Sequence, residues 1–192
     1  MLTTSRTLED NSRIADTGIL LALFLALGYL FIYIPNVEFI TLIAWLVGLL
    51  LGAGRGLFVA LIGETIFSVM NPLGSSLVFL PLFAAQLCGF ALIALSGAAA
   101  RFLISKLLNH KFLLIIYAAL NGLLLTFIYD LLTTLAFPLA SGFSTEQTIA
   151  TLLAGIPFVS THLVVNTATF ALILPPLLLQ IARFFPRFGL QK

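Results

Sequence analysis

The chain has 192 residues, of which 61% are hydrophobic and 8% are charged, and its formal net charge is +2. A soluble domain of this length leaves too much surface facing water to hide so many apolar side chains, which excludes a soluble globular protein. The small net charge also offers no basic patch of the kind that binds nucleic acid. Backbone polar groups must be paired internally in lipid, and the apolar runs are long and unbroken. We therefore predict an all-α membrane protein.

Charged and turn-forming residues divide the chain into six apolar segments, which we predict to be six transmembrane helices in one bundle. The first five segments are 17–34, 39–54, 56–70, 77–100 and 112–137. The remaining run is too long for one straight crossing of a hydrocarbon core about 30 Å thick. Because proline suits the first turn of a helix, we expect a short interfacial helix before Pro157 and a sixth span from Pro157 to about Ile181.

This division gives a cytoplasmic N-terminal segment (1–16), a six-span domain (17–182) and a basic cytoplasmic tail (183–192). With six spans both termini lie on one side of the membrane, and all nine Lys and Arg residues of the chain fall on that side. The opposite loops contain Glu38 and Glu146 and no basic residue. By the positive-inside rule we predict that both termini are cytoplasmic.

Several polar residues lie inside these apolar segments. An ionisable side chain in the hydrocarbon costs about 2.5–3.5 kcal/mol, so it usually faces the bundle interior and marks a functional site. His162 and Asn166 are four residues apart and therefore share one helix face. The helical rise places them, with Asp130 and Asn71, in the outer half of the bundle, and places Glu64 near the midplane. We predict that these five residues bind a substrate in an outward-facing pocket.

Each of these residues also has a purely structural interpretation, which the sequence leaves open. His162 and Asn166 would equally form interhelical hydrogen bonds. Asp130 would equally be a hydrated carboxylate at the headgroups, and Glu64 a protonated carboxyl bonded to a carbonyl oxygen. Asn71 precedes Pro72 and is typical of a turn.

The first span carries small residues at four-residue spacing, namely Gly18, Ala22 and Ala26. Such a row lets another helix backbone approach closely. Spacing alone favours packing within the same bundle over docking of a separate protein.

Two stretches carry a resemblance to a known family. The segment IPNVEFITLIAWLVGLLLGAGRGLFVALIGETIFSVMNPLGSS resembles the first half of the substrate-binding S components of energy-coupling factor (ECF) transporters. The segment GIPFVSTHLVVNTATFALILPPL resembles the last span of many members. Together with the order and orientation of the segments, the resemblance covers nearly the whole chain. It implies a six-helix subunit that captures a vitamin or related micronutrient from outside the cell. It also implies the cytoplasmic (inner) membrane of a bacterium or archaeon.

The resemblance also implies partners and roles. An S component docks onto a transmembrane coupling subunit and two cytoplasmic ATPases, and small residues on its first span contact the coupling subunit. This maps onto Ala22 and Ala26, with Gly18 extending the row. The chain has no phosphate-binding loop of its own, so ATP hydrolysis would belong to the partners. We predict no catalytic residue, no metal and no cofactor.

The outer half of the bundle contains no Lys or Arg to pair with a carboxylate or phosphate. The sequence therefore favours a neutral, cationic or corrinoid-like ligand. Two other functions stay open. One is an MreD-like structural membrane protein of the cell-shape apparatus, and the other is an intramembrane hydrolase, although the His-Glu-x-x-His metalloprotease pattern is not present.

Overall fold

A computed structural model describes the backbone of residues 2–190 and the side chains of residues 11–190. In this range the chain forms five α-helices: α1 Leu2–Phe31, α2 Ile40–Val69, α3 Leu80–Leu107, α4 Lys111–Ala140 and α5 Thr145–Phe184. Short 3-10 turns lie at Ser76–Val78 and Pro186–Phe188. All five α-helices are long and apolar enough to cross a membrane. This confirms the predicted all-helical architecture and indicates a multi-pass membrane protein.

Helix α2 is broken at Gly52, whose φ of 79° and ψ of 176° lie outside the helical region. A Cβ atom placed on Gly56 would lie 2.6 Å from the Cα of Gly48. Eight residues of straight helix would separate these two positions by about 12 Å. The chain therefore reverses at Gly52 and runs back beside itself, close to the predicted boundary between the second and third apolar segments. Glycine suits the position because a positive φ strains residues that carry a Cβ.

The first half of α2, residues 40–51, is buried along its entire length. A helix that is apolar on every face requires neighbours on every side, and this half forms the centre of the bundle. The Trp45 ring packs edge-on against Phe170 of α5, with 6.4 Å between the ring centroids. On the side facing α3, a Cβ on Gly97 would overlap the carbonyl oxygen of Trp45. The backbones of α2 and α3 are therefore in direct contact.

The other helices surround this central segment. Helices α4 and α5 pack closely, because Gly122 leaves room for the backbone of Asn166 and the ring of Phe170. Helix α1 packs mainly against α2, and its buried Phe24 contacts Phe90 of α3 at 5.7 Å between ring centroids. Large apolar side chains cover the outer faces of the bundle, as expected where helices face lipid.

The structure corrects several predicted boundaries. Helix α5 is continuous from Thr145 to Phe184, so the separate interfacial helix and the span beginning at Pro157 are wrong. A capping box between Ser144 and Gln147 fixes its start, and Pro157 lies inside the helix. Helix α1 begins at Leu2 instead of residue 17, and α3 occupies 80–107 instead of 77–100. Hydropathy marks the apolar part of a helix, whereas capping residues mark where the helix ends.

The contact between α2 and α3 makes a first prediction. Gly97→Ala places a methyl group against the backbone of Trp45, and overpacking of this kind costs about 1–3 kcal/mol. Gly54→Ala is the matched control, because Gly54 is helical and exposed and has open space around it. We expect Gly97→Ala to lower the free energy of unfolding in detergent micelles by at least 1 kcal/mol. Gly54→Ala should leave it unchanged or raise it by up to about 1 kcal/mol. Equal stability of the two variants would contradict the close approach of α2 and α3.

Candidate functional site

Three ionisable side chains from distant parts of the sequence meet at one end of the bundle. His162 on α5 places its Nδ1 atom 2.8 Å from Oδ1 of Asp130 on α4. Its Nε2 atom lies 3.2 Å from Oε1 of Glu38, in the loop before α2. That loop turns at Asn36, whose φ of 60° is tolerated by asparagine. The imidazole therefore bridges two carboxylates that are 92 residues apart in the chain.

An amide and a hydroxyl complete this group. Asn166 lies one helical turn after His162, and its Nδ2 atom donates to Glu38 Oε1 at 3.0 Å. The same Nδ2 atom is 3.0 Å from Nε2 of His162. Thr41 Oγ1 also donates to Glu38 Oε1. We call Glu38, Thr41, Asp130, His162 and Asn166 the acidic cluster.

The acidic cluster is largely shielded from solvent. The relative exposures of His162, Asp130 and Asn166 are 6%, 4% and 0%. Asp130 therefore does not face the headgroup region as a hydrated side chain. Burial opposes ionisation of Glu38, but the hydrogen bond and charge of His162, with hydrogen bonds from Thr41 and Asn166, outweigh it. The pKa of Glu38 consequently lies below its ordinary value.

Two proton arrangements of this cluster differ in the contact between His162 and Glu38. In the first, His162 is neutral, donates from Nδ1 to Asp130 and accepts at Nε2 from Asn166, which leaves Nε2 and Glu38 Oε1 as two acceptors 3.2 Å apart. In the second, the imidazole is protonated at both nitrogens and donates to both carboxylates. In this second arrangement Asn166 Nδ2 keeps its donation to Glu38 Oε1, so its 3.0 Å contact with Nε2 is not a hydrogen bond. This arrangement accounts for the lowered pKa of Glu38. With both carboxylates ionised, the cluster is anionic in either arrangement.

A cavity of about 360 Å³ lies beside the acidic cluster. Its polar walls come from the α1–α2 loop, the segment after α2, and helices α3, α4 and α5: Asn36, Glu38, Asn71, Gln86, Tyr129, Asp130, Thr133 and His162. Buried oxygen atoms of three of these residues have no hydrogen-bond partner, namely Asn36 Oδ1, Gln86 Oε1 and Asp130 Oδ2. Because buried polar atoms are normally paired, these atoms are available to a bound molecule.

The structure brings together four of the five predicted binding residues. His162, Asp130 and Asn71 line the cavity, and Asn166 supports it through Glu38 and His162. Asn71 also has the turn role considered for it, because its Oδ1 accepts from the Leu73 amide at 2.9 Å.

The fifth predicted residue, Glu64, is not among the lining residues. It is 1% exposed and accepts a hydrogen bond from Ser68 Oγ at 2.7 Å. Ser76 Oγ in turn donates to Ser68 Oγ at 3.1 Å, so this carboxyl belongs to a chain of hydroxyl groups that reaches the segment after α2. Glu64 therefore lies buried outside the lining of this cavity, with its Oε2 unpartnered.

Sequence reasoning treated Glu38 as a charge in an outer loop and missed its place in the site. Glu38 directly precedes the second apolar segment, and this position is the feature of the sequence that indicates a buried location. Gln86, Tyr129 and Thr133 were also not predicted to bind, and no pattern distinguishes them from other polar residues on apolar helices.

The row of small residues on α1 lies away from the site. Gly18, Ala22 and Ala26 are exposed, whereas Leu20 and Phe24 on the other side of the helix are buried. A Cβ on Gly18 would meet no atom within 4 Å. The row is therefore not used for packing within the described part of the chain.

Two more observations concern the function of this site. Among the side chains that the structure describes, no three His, Cys, Asp or Glu residues form a group that could hold a metal ion. No family model matches the chain, and neither a curated protein nor a solved structure matches it. The function of the site must therefore be inferred from its geometry, its charge and the sequence resemblance.

The lowered pKa of Glu38 makes a second prediction. A carboxyl with a lower pKa in the folded chain contributes stability above its ordinary value of 4.5, and this contribution is lost as the pH falls through the lowered pKa. We expect Glu38→Gln to lower the free energy of unfolding in detergent at neutral pH by about 1.5–3 kcal/mol, as for hydrogen bonds to a charged group. It should also reduce the stability loss below pH 4.5.

The control is Glu146→Gln, at an exposed position at the start of α5. It should retain most of the wild-type loss of stability in acid. If Glu38→Gln and the wild type lost the same stability between neutral pH and acid, Glu38 would not be held as an ion by the cluster.

Proposed function

We propose that this chain is the substrate-binding membrane subunit of an ECF-type transporter, which captures a vitamin or related micronutrient from outside the cell. The observation that carries the proposal is the cavity of about 360 Å³ walled by Glu38, Asp130 and His162. Buried carboxylates inside a membrane bundle are costly, and such groups usually mark a substrate or ion site. The sequence resemblance to S components supports the same conclusion.

The proposed topology has six spans, counting the two halves of α2 separately. The first half of α2 has 12 residues, about 18 Å of helix. It is enclosed by the other helices, so its length does not have to match the lipid thickness. Both termini then lie on one side with all the basic residues, which is the cytoplasmic side by the positive-inside rule. The cavity, at the opposite end of the bundle, faces the exterior of a bacterial or archaeal cytoplasmic membrane.

The cavity walls favour particular ligands. They contain two carboxylates and unpartnered oxygen atoms, and no Lys or Arg is among the lining residues. A cationic ligand, or a neutral one with several N–H or O–H donors, matches these walls, whereas a carboxylate or phosphate would be repelled. The volume lies at the small end of the range for ligand pockets. We therefore favour a compact cation over a corrinoid.

The exposed row of Gly18, Ala22 and Ala26 favours the packing of a partner helix against the lipid-facing side of α1. Small side chains let a partner helix approach closely within the membrane. We propose that this row contacts a transmembrane coupling subunit, which connects the chain to two cytoplasmic ATPases. The chain itself is proposed to be a non-enzymatic subunit.

The alternative functions explain the site less well. A structural protein of the cell-shape apparatus could use the acidic cluster to hold its helices together, but it would not need a cavity lined by unpartnered oxygen atoms. An intramembrane hydrolase that uses His162 as a base needs a nucleophile against the imidazole. Both ring nitrogens of His162 instead contact Asp130, Glu38 and Asn166.

The proposal makes a third prediction, tested with protein purified in mild detergent from cells grown in rich medium. Native mass spectrometry should detect a bound organic molecule, and a micronutrient library should contain a compound that raises the thermal unfolding temperature. Glu38→Gln combined with Asp130→Asn removes both cavity carboxylates with little change in volume. We expect this variant to bind the same compound at least about tenfold more weakly (about 1.4 kcal/mol).

The control for this experiment is again Glu146→Gln, which should bind as the wild type does. Two results would contradict the proposal: no compound bound or stabilising the wild-type protein, or equal affinity in the carboxyl-free variant.

A further inference from the structure

Four arginines converge at the end of the bundle opposite the acidic cluster. Arg13 is on α1, Arg55 follows the Gly52 reversal, Arg101 is on α3, and Arg187 follows α5. Together with Asp16 they line a cavity of about 420 Å³. Four guanidinium groups and one carboxylate leave a formal excess of three positive charges there. We call this cavity the arginine pocket.

Contacts within the protein hold the guanidinium groups of Arg55, Arg101 and Arg187 in place. Arg187 Nη2 donates to Asp16 Oδ1 at 2.6 Å, and Asp16 is only 9% exposed. Arg55 Nη1 donates to the Arg13 carbonyl oxygen at 3.2 Å, and Arg101 Nη2 donates to the Phe188 carbonyl oxygen.

These described hydrogen bonds use one N–H of Arg55, of Arg101 and of Arg187, and each guanidinium carries five. Donors fixed in this way suit a phosphate group, which arginine binds through paired N–H groups.

An apolar groove of about 460 Å³ continues from the arginine pocket. The two cavities share Asp16, Leu50, Arg187 and Phe188. The groove lies between α1, the first half of α2 and α5, and its walls are almost entirely leucine, isoleucine and phenylalanine. Its lining residues on the α2 side extend from Phe39 to Leu50, which is about 16 Å along a helix axis.

We propose that the arginine pocket and the apolar groove together bind one anionic phospholipid, with the phosphate among the arginines and an acyl chain in the groove. The proposal rests on charge complementarity and on the continuity of a cationic pocket with an apolar channel of membrane depth. Anionic lipids attract basic residues at the cytoplasmic membrane surface, where the positive-inside rule places these arginines. A zwitterionic lipid would bring an ammonium group into the same positive field. A free phosphate compound would leave the groove unused.

The experiment compares three probes on the purified full-length protein in detergent: phosphatidylglycerol, phosphatidylcholine with the same acyl chains, and glycerol phosphate. Binding is measured by native mass spectrometry and by the shift in unfolding temperature. We expect phosphatidylglycerol to bind at least about tenfold more tightly than phosphatidylcholine, and glycerol phosphate to give no shift at the same concentration. Equal binding of the two lipids, or an equal shift with glycerol phosphate, would overturn the proposal.

Three variants locate the site. Arg55→Gln combined with Arg101→Gln should remove the preference for phosphatidylglycerol. Arg183→Gln is the matched control, because Arg183 is exposed near the same end and is not a lining residue of the arginine pocket. An equal loss of preference in Arg183→Gln would show general surface attraction and overturn the proposal.

Ile173→Trp fills the groove without changing the charge, since Ile173 lines it and is 37% exposed. This variant should weaken phosphatidylglycerol binding about tenfold. It also keeps the test decisive if the double arginine variant fails to fold. Unchanged binding of phosphatidylglycerol to Ile173→Trp would show that the acyl chain does not occupy the groove.

Discussion

The contact between His162 and Glu38 joins the loop before the central helix segment to α5, and through Asp130 it also joins α4. Inside an apolar bundle these groups cannot exchange their partners for water, so each depends on the others for its hydrogen bonds. Removing one member leaves the rest buried and incompletely paired, which costs far more than the loss of a surface ion pair. The same cluster also determines the geometry of the candidate binding site. The cluster fixes three elements at one end of the bundle, while Asp130 Oδ2 remains unpartnered beside a cavity.

The two ends of the molecule have opposite charge, and the reversal at Gly52 connects them. The segment 40–51 runs through the centre, with Glu38 just before one end and Arg55 just after the other. Carboxylates gather at the first end and arginines at the second. This separation underlies both proposals. The acidic end suits a cationic or donor-rich micronutrient, and the basic end suits the phosphate of an anionic lipid.

The sequence predicts the parts of this structure that follow from composition, periodicity and the cost of burying polar groups. The helical membrane architecture, the break between the second and third apolar segments and the shared face of His162 and Asn166 all belong to this class. The role of Glu38 depends on a loop that turns at Asn36 with a positive φ, which no periodic pattern encodes. The exclusion of Glu64 from the cavity depends on how α2 is rotated, with Gly63 against Phe24 of α1. The continuous α5 depends on the capping box at Ser144, which starts the helix well before Pro157 and leaves that proline inside it.

A double-mutant cycle between Glu38 and His162 tests the central claim most directly. Glu38→Gln, His162→Gln and the double variant would each be unfolded in detergent micelles at neutral pH. Residues in one hydrogen-bonded network show coupling energies of about 0.5–3 kcal/mol, whereas independent sites add within about 0.5 kcal/mol. The structure predicts a coupling energy of at least about 1 kcal/mol. Additive effects of the two substitutions would show that the imidazole and the carboxylate do not hold this end of the bundle together.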